Sequence, residues 1–227
     1  MNTHWHGPRS ELGTPSAEMK TDFPILRDDL IRLHYRWKIF SSLFGVSKLR
    51  DRLLLRRASS FFAALFDMLR DELVLDISRL VDSPKTGGHD NLVLETLIGH
   101  LNQMNDTELA IVSSAKLDRI KELAAPFKTL RHKTLAHRSK KEATDSNHAF
   151  PEILRASVAE ILEQSAAILN GIEGRYFGAT TGYDWTLDVG GVNQLVDSLR
   201  KAEEYDRIVS EGLVPRSRIA ESEYWGA

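Results

Sequence analysis

The chain has 227 residues, of which 42% are hydrophobic and 27% charged. This composition is that of a globular protein that buries a core without disulfides or metals. Because there is no cysteine, a disulfide scaffold, a cysteine-ligated zinc or iron–sulfur centre and a thiol nucleophile are excluded. The net charge of -2 excludes a surface that is basic throughout, so any nucleic-acid site must be a local patch.

The polar N-terminus lacks the apolar core of a signal peptide, and no apolar run is long enough for a membrane helix. We therefore expect a cytoplasmic protein that does not contact a membrane.

Helical periodicity accounts for most of the chain after a polar leader. Apolar residues recur every three or four positions in each predicted helix, and Ser47 is placed to cap the second, very long one. The segment Ser83–Gly88, rich in Pro and Gly, predicts a loop after that helix. The predicted helices span Asp22–Phe44, Lys48–Asp82, Asp90–Met104, Thr107–His137, Pro151–Tyr176 and Gly191–Ser210.

No segment shows the alternation typical of a strand. The pattern predicts an all-α fold, an elongated antiparallel helical bundle of about four long helices with a smaller C-terminal helix. We divide the chain into a flexible leader at residues 1–17, a bundle at 18–178, and a helical appendage and tail at 179–227. The long apolar stripes exceed what one chain of this length covers, which favours a homodimer.

The densest cluster of charge lies at the end of the fourth predicted helix. Residues 128–141 contain six Lys or Arg and two His, and no acidic residue. Cations favour helix C-termini, which accounts for Lys140 and Lys141. His137 follows Leu130 by seven residues, so it lies within about 20° of the apolar stripe and is expected to face inward or into an interface. On a straight helix Arg131 lies about 120° away from His137, and a bend, the length of the Arg side chain or a second subunit could bring the two to one groove.

The segment from Arg131 to His137 resembles the R-x(4–6)-H motif of the HEPN superfamily, in which the Arg is followed by a polar residue such as His132. The longer string LRHKTLAHR and the helix ending LDISRLVDSP are similar to the abortive-infection AbiU-type branch of that superfamily. A second match to the bare motif, Arg27 to His34, lacks the Ala-His-Arg ending and the basic run, so we discount it.

The resemblance implies a metal-independent, cofactor-free endoribonuclease that leaves 2′,3′-cyclic phosphate ends. It implies a toxin or phage-defence effector whose site is shared across a homodimer, with a cognate antitoxin of nucleotidyltransferase type as a further partner. The catalytic residues that it implies are Arg131, His132 and His137. The basic residues expected to bind RNA phosphates are Lys128, Lys133, Arg138, Lys140 and Lys141.

Two other functions stay open from the sequence. The chain could be a non-catalytic HEPN module that binds RNA, a nucleotide or a protein partner through the basic patch, or a purely structural bundle. In a purely structural bundle His137 would be an interior histidine and His132 plain surface. Arg131 would then pair with an acid such as Asp76 or Glu72.

The acidic residues of the long helix and the histidines also have simple interpretations. We expect Asp76 and Arg79, three residues apart, to form a structural pair, and Asp82 to be an ordinary acid at a helix end. A metal site that includes His132 and His137 is disfavoured, because an interval of five residues is poor for chelation on a helix and no carboxylate is nearby before Glu142. We therefore expect no metal, even with His148 nearby in sequence.

Overall fold

The structure is a computed structural model that describes residues 13–132, 152–184 and 190–213. Over these ranges the chain forms six α-helices and one small hairpin, which confirms the predicted all-α helical bundle. None of the helices in the described ranges is both long enough and apolar enough to span a bilayer. The elements are α1 Ala17–Leu43, α2 Lys48–Leu80, β1 Lys85–Thr86, β2 His89–Asp90, α3 Leu94–Gln103, α4 Thr107–Leu130, α5 Glu152–Tyr176 and α6 Gly190–Ser210.

Local hydrogen bonds explain where several helices begin and end. Ser47 Oγ accepts the backbone N–H of Arg50 at 3.2 Å, so the predicted cap of α2 is confirmed. Asp106 Oδ1 accepts the N–H of Leu109 at 3.3 Å and caps α4 in the same way. Asn105, between α3 and α4, has a φ of 60°. This is a left-handed conformation that asparagine tolerates, and it separates the two helices.

The first helix begins five residues earlier than the sequence pattern predicted. Ser16 Oγ accepts the backbone N–H of Met19 at 3.1 Å, which places the start of α1 at Ala17. Met19 and Phe23 are buried and extend the apolar stripe towards the N-terminus. Pro24 lies inside α1.

The connection after α2 was predicted as a loop, and this prediction is wrong in part. Strands β1 and β2 pair antiparallel there, with Thr86 opposite His89. Gly87 and Gly88 have φ values of 58° and 85°, the left-handed pair that a tight hairpin turn requires. Strands of two residues are too short to show an alternating pattern. The hairpin also explains why α3 begins at Leu94 instead of Asp90.

Helix α2 is not one continuous helix. Ala58 has φ -157° and ψ 66°, which interrupts the helical backbone. The sequence shows no Pro or Gly at this point, so the pattern predicted an unbroken helix.

The chain divides into two compact units, residues 1–37 with 68–187 and residues 38–67 with 188–227. In the first unit α3 packs on α4, and α4 packs on α5. The fully buried side chains of this unit include Leu26, Leu30, Leu33, Leu73, Ile77, Leu94, Leu97, Ile120, Phe127, Ile161 and Ile172. In the second unit, the rings of Phe40, Phe44 and Phe66 form a cluster with centroids 5.2–5.5 Å apart. The domain boundaries expected after residues 17 and 178 stay predictions, as does the homodimer.

Candidate functional site

The described part of the basic patch lies where the C-terminal ends of α2 and α4 meet. Phe127, with no exposed surface, anchors the last turn of α4 in the core. The backbone N–H of Arg131 still donates to the carbonyls of Lys128 and Phe127. Arg131 and His132 continue the chain directly beyond the end of α4.

Arg131 forms a two-pronged ion pair with Asp82, which follows the end of α2. The Nη1 atom of Arg131 lies 2.7 Å from Oδ2 of Asp82, and Nη2 lies 3.2 Å from Oδ1. The side chains are 23% and 26% exposed, so both are partly shielded from water. A bidentate, partly buried pair of this kind is stronger and better oriented than an open surface pair.

Asp82 is therefore more than the ordinary helix-end acid that the sequence predicted. A carboxylate at the C-terminus of a helix faces the negative end of the helix dipole. Such a carboxylate is disfavoured unless a cation from elsewhere compensates it. The position of Asp82 at a helix end is visible in the sequence, but the sequence does not show which cation compensates it.

Arg131 pairs with an acid, as expected for a structural role, but that acid is Asp82 and not Asp76 or Glu72, which pair with Arg36 of α1. Arg36 Nη2 lies 3.3 Å from Glu72 Oε2, and Arg36 Nη1 donates to Asp76 Oδ2. Burial raises the pKa of Asp76 above its ordinary value, although Arg36 opposes this. The predicted pair of Asp76 with Arg79 is present at 3.9 Å.

Lys128 is engaged on the end of α2. Its Nζ donates to the carbonyl oxygen of Val81 at 2.6 Å and lies 3.9 Å from Asp82 Oδ1. A lysine at this place satisfies an otherwise unpaired helix carbonyl and favours the dipole. Its side chain is 37% exposed, and its predicted contact with RNA stays a prediction. Two cations, Lys128 and Arg131, thus face one carboxylate.

The structure describes only part of the predicted site. His132 is exposed. Within the described ranges, no group of three or more His, Asp or Glu side chains is arranged to hold a metal ion. The predicted site residues outside the described residues are Lys133, His137, Arg138, Lys140 and Lys141, and His148 also lies outside them.

The residues of the second match to the bare motif lie among other polar side chains, away from Arg131. His34 is 9% exposed, stacks on Tyr183 with ring centroids 5.4 Å apart, and has its Nδ1 3.4 Å from Asp184. Arg27 instead approaches the buried Glu173, at 3.9 Å. Burial lowers the pKa of His34 below its usual value. Arg27 and His34 therefore contact different acids, Glu173 and Asp184.

Comparison with known proteins adds one finding to this geometry. The family model HEPN_AbiU2, described as AbiU2, matches residues 20–193, a span that includes both Asp82 and the segment from Arg131 to His137. No curated protein and no solved structure is significantly similar to the chain. The resemblance inferred from the motif is confirmed: the chain belongs to the AbiU2 family of HEPN proteins.

Proposed function

We propose that this protein is a metal-independent endoribonuclease, a HEPN toxin or phage-defence effector that acts in the cytoplasm as a homodimer with a shared Arg/His site. The observation that carries the proposal is membership of a HEPN family, whose model matches a span that includes the segment from Arg131 to His137. The two hydrogen bonds from Arg131 to Asp82, at 2.7 and 3.2 Å, are expected of a structural bundle as well, and they hold the arginine of the motif in place at the end of α4.

The residue types suit cleavage of RNA by its own hydroxyl. The 2′-oxygen attacks the neighbouring phosphorus, the bond from phosphorus to the 5′-oxygen breaks, and a 2′,3′-cyclic phosphate remains. His137 takes the proton from the 2′-hydroxyl, and the equivalent histidine of the second protomer gives a proton to the leaving oxygen. Arg131 binds the phosphate and stabilises the charge that develops on it. His132 orients these groups.

The remaining basic residues of the patch bind the RNA backbone in this proposal. Lys128, Lys133, Arg138, Lys140 and Lys141 supply the phosphate contacts, and each contact makes binding more sensitive to salt. A cognate antitoxin of nucleotidyltransferase type would neutralise the protein in the cell.

The test is RNA cleavage by the purified protein, with and without EDTA. We expect cleavage in EDTA, cyclic phosphate ends, no cleavage of DNA, and a mass in light scattering of about twice 25.6 kDa. Arg131→Ala and His137→Ala should each lower the rate by about 10²–10⁴-fold. Lys140→Ala and Lys141→Ala are the matched controls, which should weaken RNA affinity and leave the rate of bound RNA nearly unchanged.

The non-catalytic alternative gives a different order of effects. A module that only binds RNA would show losses of affinity that follow positive charge, with His137→Ala mild, because a neutral histidine adds little attraction. No cleavage by the wild-type dimer, or cleavage that requires a divalent metal, would contradict the proposed function.

A further inference from the structure

The Arg131 guanidinium offers more than one edge for hydrogen bonding, and the ion pair with Asp82 occupies one of them. A guanidinium carries five N–H donors in a fixed fork. Asp82 accepts from Nη1 and Nη2, which is the edge at the tip of the side chain. The edge formed by Nε and Nη2 has no acceptor among the described residues. That edge has the spacing for a second bidentate contact, with a carboxylate or a phosphate.

Contacts at the ends of two different helices hold Arg131, one through its backbone and the other through the tip of its side chain. Its backbone is fixed in the turn after α4, where its N–H reaches the carbonyls of Lys128 and Phe127. Its tip is fixed by Asp82 after α2. Lys128 steadies the same corner, because its Nζ lies 2.6 Å from the Val81 oxygen and 3.9 Å from Asp82. The plane of the guanidinium is therefore set before any ligand arrives.

We infer that Asp82 is a positioning residue for RNA cleavage. It holds Arg131 by the tip edge, so that the edge of Nε and Nη2 is presented to the scissile phosphate. This inference rests on the proposed function and adds to it the carboxylate that orients the arginine and the edge that meets the substrate.

The negative charge of Asp82 predicts opposite effects on RNA binding and on the cleavage rate when that charge is removed. A carboxylate beside a phosphate site repels RNA, and Lys128 offsets only part of that repulsion. Asp82 therefore does not act by attracting substrate. Removing its charge should strengthen or preserve RNA binding while the oriented arginine, and with it the rate, is lost.

The decisive variant is Asp82→Asn, which keeps the size of the side chain and loses the carboxylate. We expect kcat to fall about 100-fold, as for a displacement of about 1 Å in a catalytic group, while KM stays equal or falls. Asp82→Glu, which restores a carboxylate, should recover part of kcat. A purely structural role would lower the melting temperature without this division between kcat and KM.

Asp76→Asn is the matched control. Like Asp82→Asn, it replaces a carboxylate that is bonded to an arginine, here Arg36. This pair lies away from the proposed site. It should leave kcat unchanged at temperatures where both variants are folded. In ¹⁵N spectra, the Arg131 Nε–H signal should be that of an ordered side chain in the wild type and become mobile in Asp82→Asn only.

The outcomes separate the two proposals. If the wild type cleaves RNA and Asp82→Asn cleaves it equally fast, the inference is wrong and the proposed function stands. A fall in kcat that Asp76→Asn shares would also overturn the inference. If the wild type does not cleave RNA, the proposed function is wrong and the inference falls with it.

Discussion

Replacing Lys128 with methionine tests whether this lysine stabilises the end of α2. Methionine keeps the aliphatic stem that packs beside the core and removes the ammonium. The lost interactions are the hydrogen bond to Val81 O at 2.6 Å and the approach to Asp82 at 3.9 Å. We expect the free energy of unfolding to fall, because the carbonyl of Val81 loses its partner and Asp82 loses one of its two cations.

The magnitude follows from the exposure of the group. A hydrogen bond to a charged group contributes about 1.5–3 kcal/mol when shielded, and a cation at a helix C-terminus about 0.3–1 kcal/mol. Because the Lys128 side chain is 37% exposed, water replaces much of the lost bond. The expected loss is therefore about 1 kcal/mol, or about 2–4 °C in melting temperature for a protein of this size.

Lys121→Met provides the control, since Lys121 lies in the same helix and is 38% exposed. Its Nζ bonds to a side chain, Glu95 Oε2, at 2.7 Å. A surface pair of this type contributes less than about 0.5 kcal/mol. Urea denaturation followed by circular dichroism measures both variants. If Lys128→Met loses no more stability than Lys121→Met, the capping of α2 by Lys128 is refuted.

Three further predictions concern other contacts of the first unit. Burial lowers the pKa of His34 in the folded state. As the pH drops below 6.5, the unfolded chain therefore takes up the proton first, and the free energy of unfolding falls. His34→Phe, which retains a ring against Tyr183, should flatten this pH dependence in urea denaturation at a series of pH values, and an unchanged pH dependence would contradict the prediction. Tyr176 Oη donates to Asp106 Oδ2 at 2.8 Å, and burial with this bond raises the pKa of Tyr176 to about 12, so Tyr176→Phe should cost about 1 kcal/mol in urea denaturation, whereas a neutral effect would show that the bond contributes nothing. Gly88 has a φ of 85° and its added Cβ would meet no atom within 4 Å, so Gly88→Ala should destabilise the hairpin by about 1 kcal/mol through backbone strain alone, measurable as faster amide exchange in β1 and β2 with α3 unaffected.

Helix positions were predictable from sequence because their causes are local. Helix α5 ends at Tyr176 and α6 at Ser210, as predicted. The apolar periodicity and the helix ends depend on residues that are close together in the sequence. The cap of α2 by Ser47 is of the same kind. The start of α1 was missed because the serine that caps it precedes the part of the stripe that was recognised.

The partner of Arg131 could not be predicted, because it depends on which helices lie side by side. The α2 region offers three acids that could pair with Arg131 on the basis of their sequence positions: Glu72, Asp76 and Asp82. In the structure Arg36 of α1 pairs with the first two, and Asp82 pairs with Arg131. The break at Ala58 likewise has no signal in neighbouring residues.

The ion pair between Asp82 and Arg131 joins positions 49 residues apart, and this separation has a consequence for when the arrangement exists. During synthesis, Asp82 emerges long before Arg131, and α3 and α4 must fold between them. A long-range contact of this kind forms late, after the intervening chain has been closed into a loop. A nascent or partly unfolded chain therefore lacks an oriented Arg131. Under the proposed function, such a chain would be harmless to the ribosome that makes it, and the ability to cleave RNA would appear only once the first unit has folded.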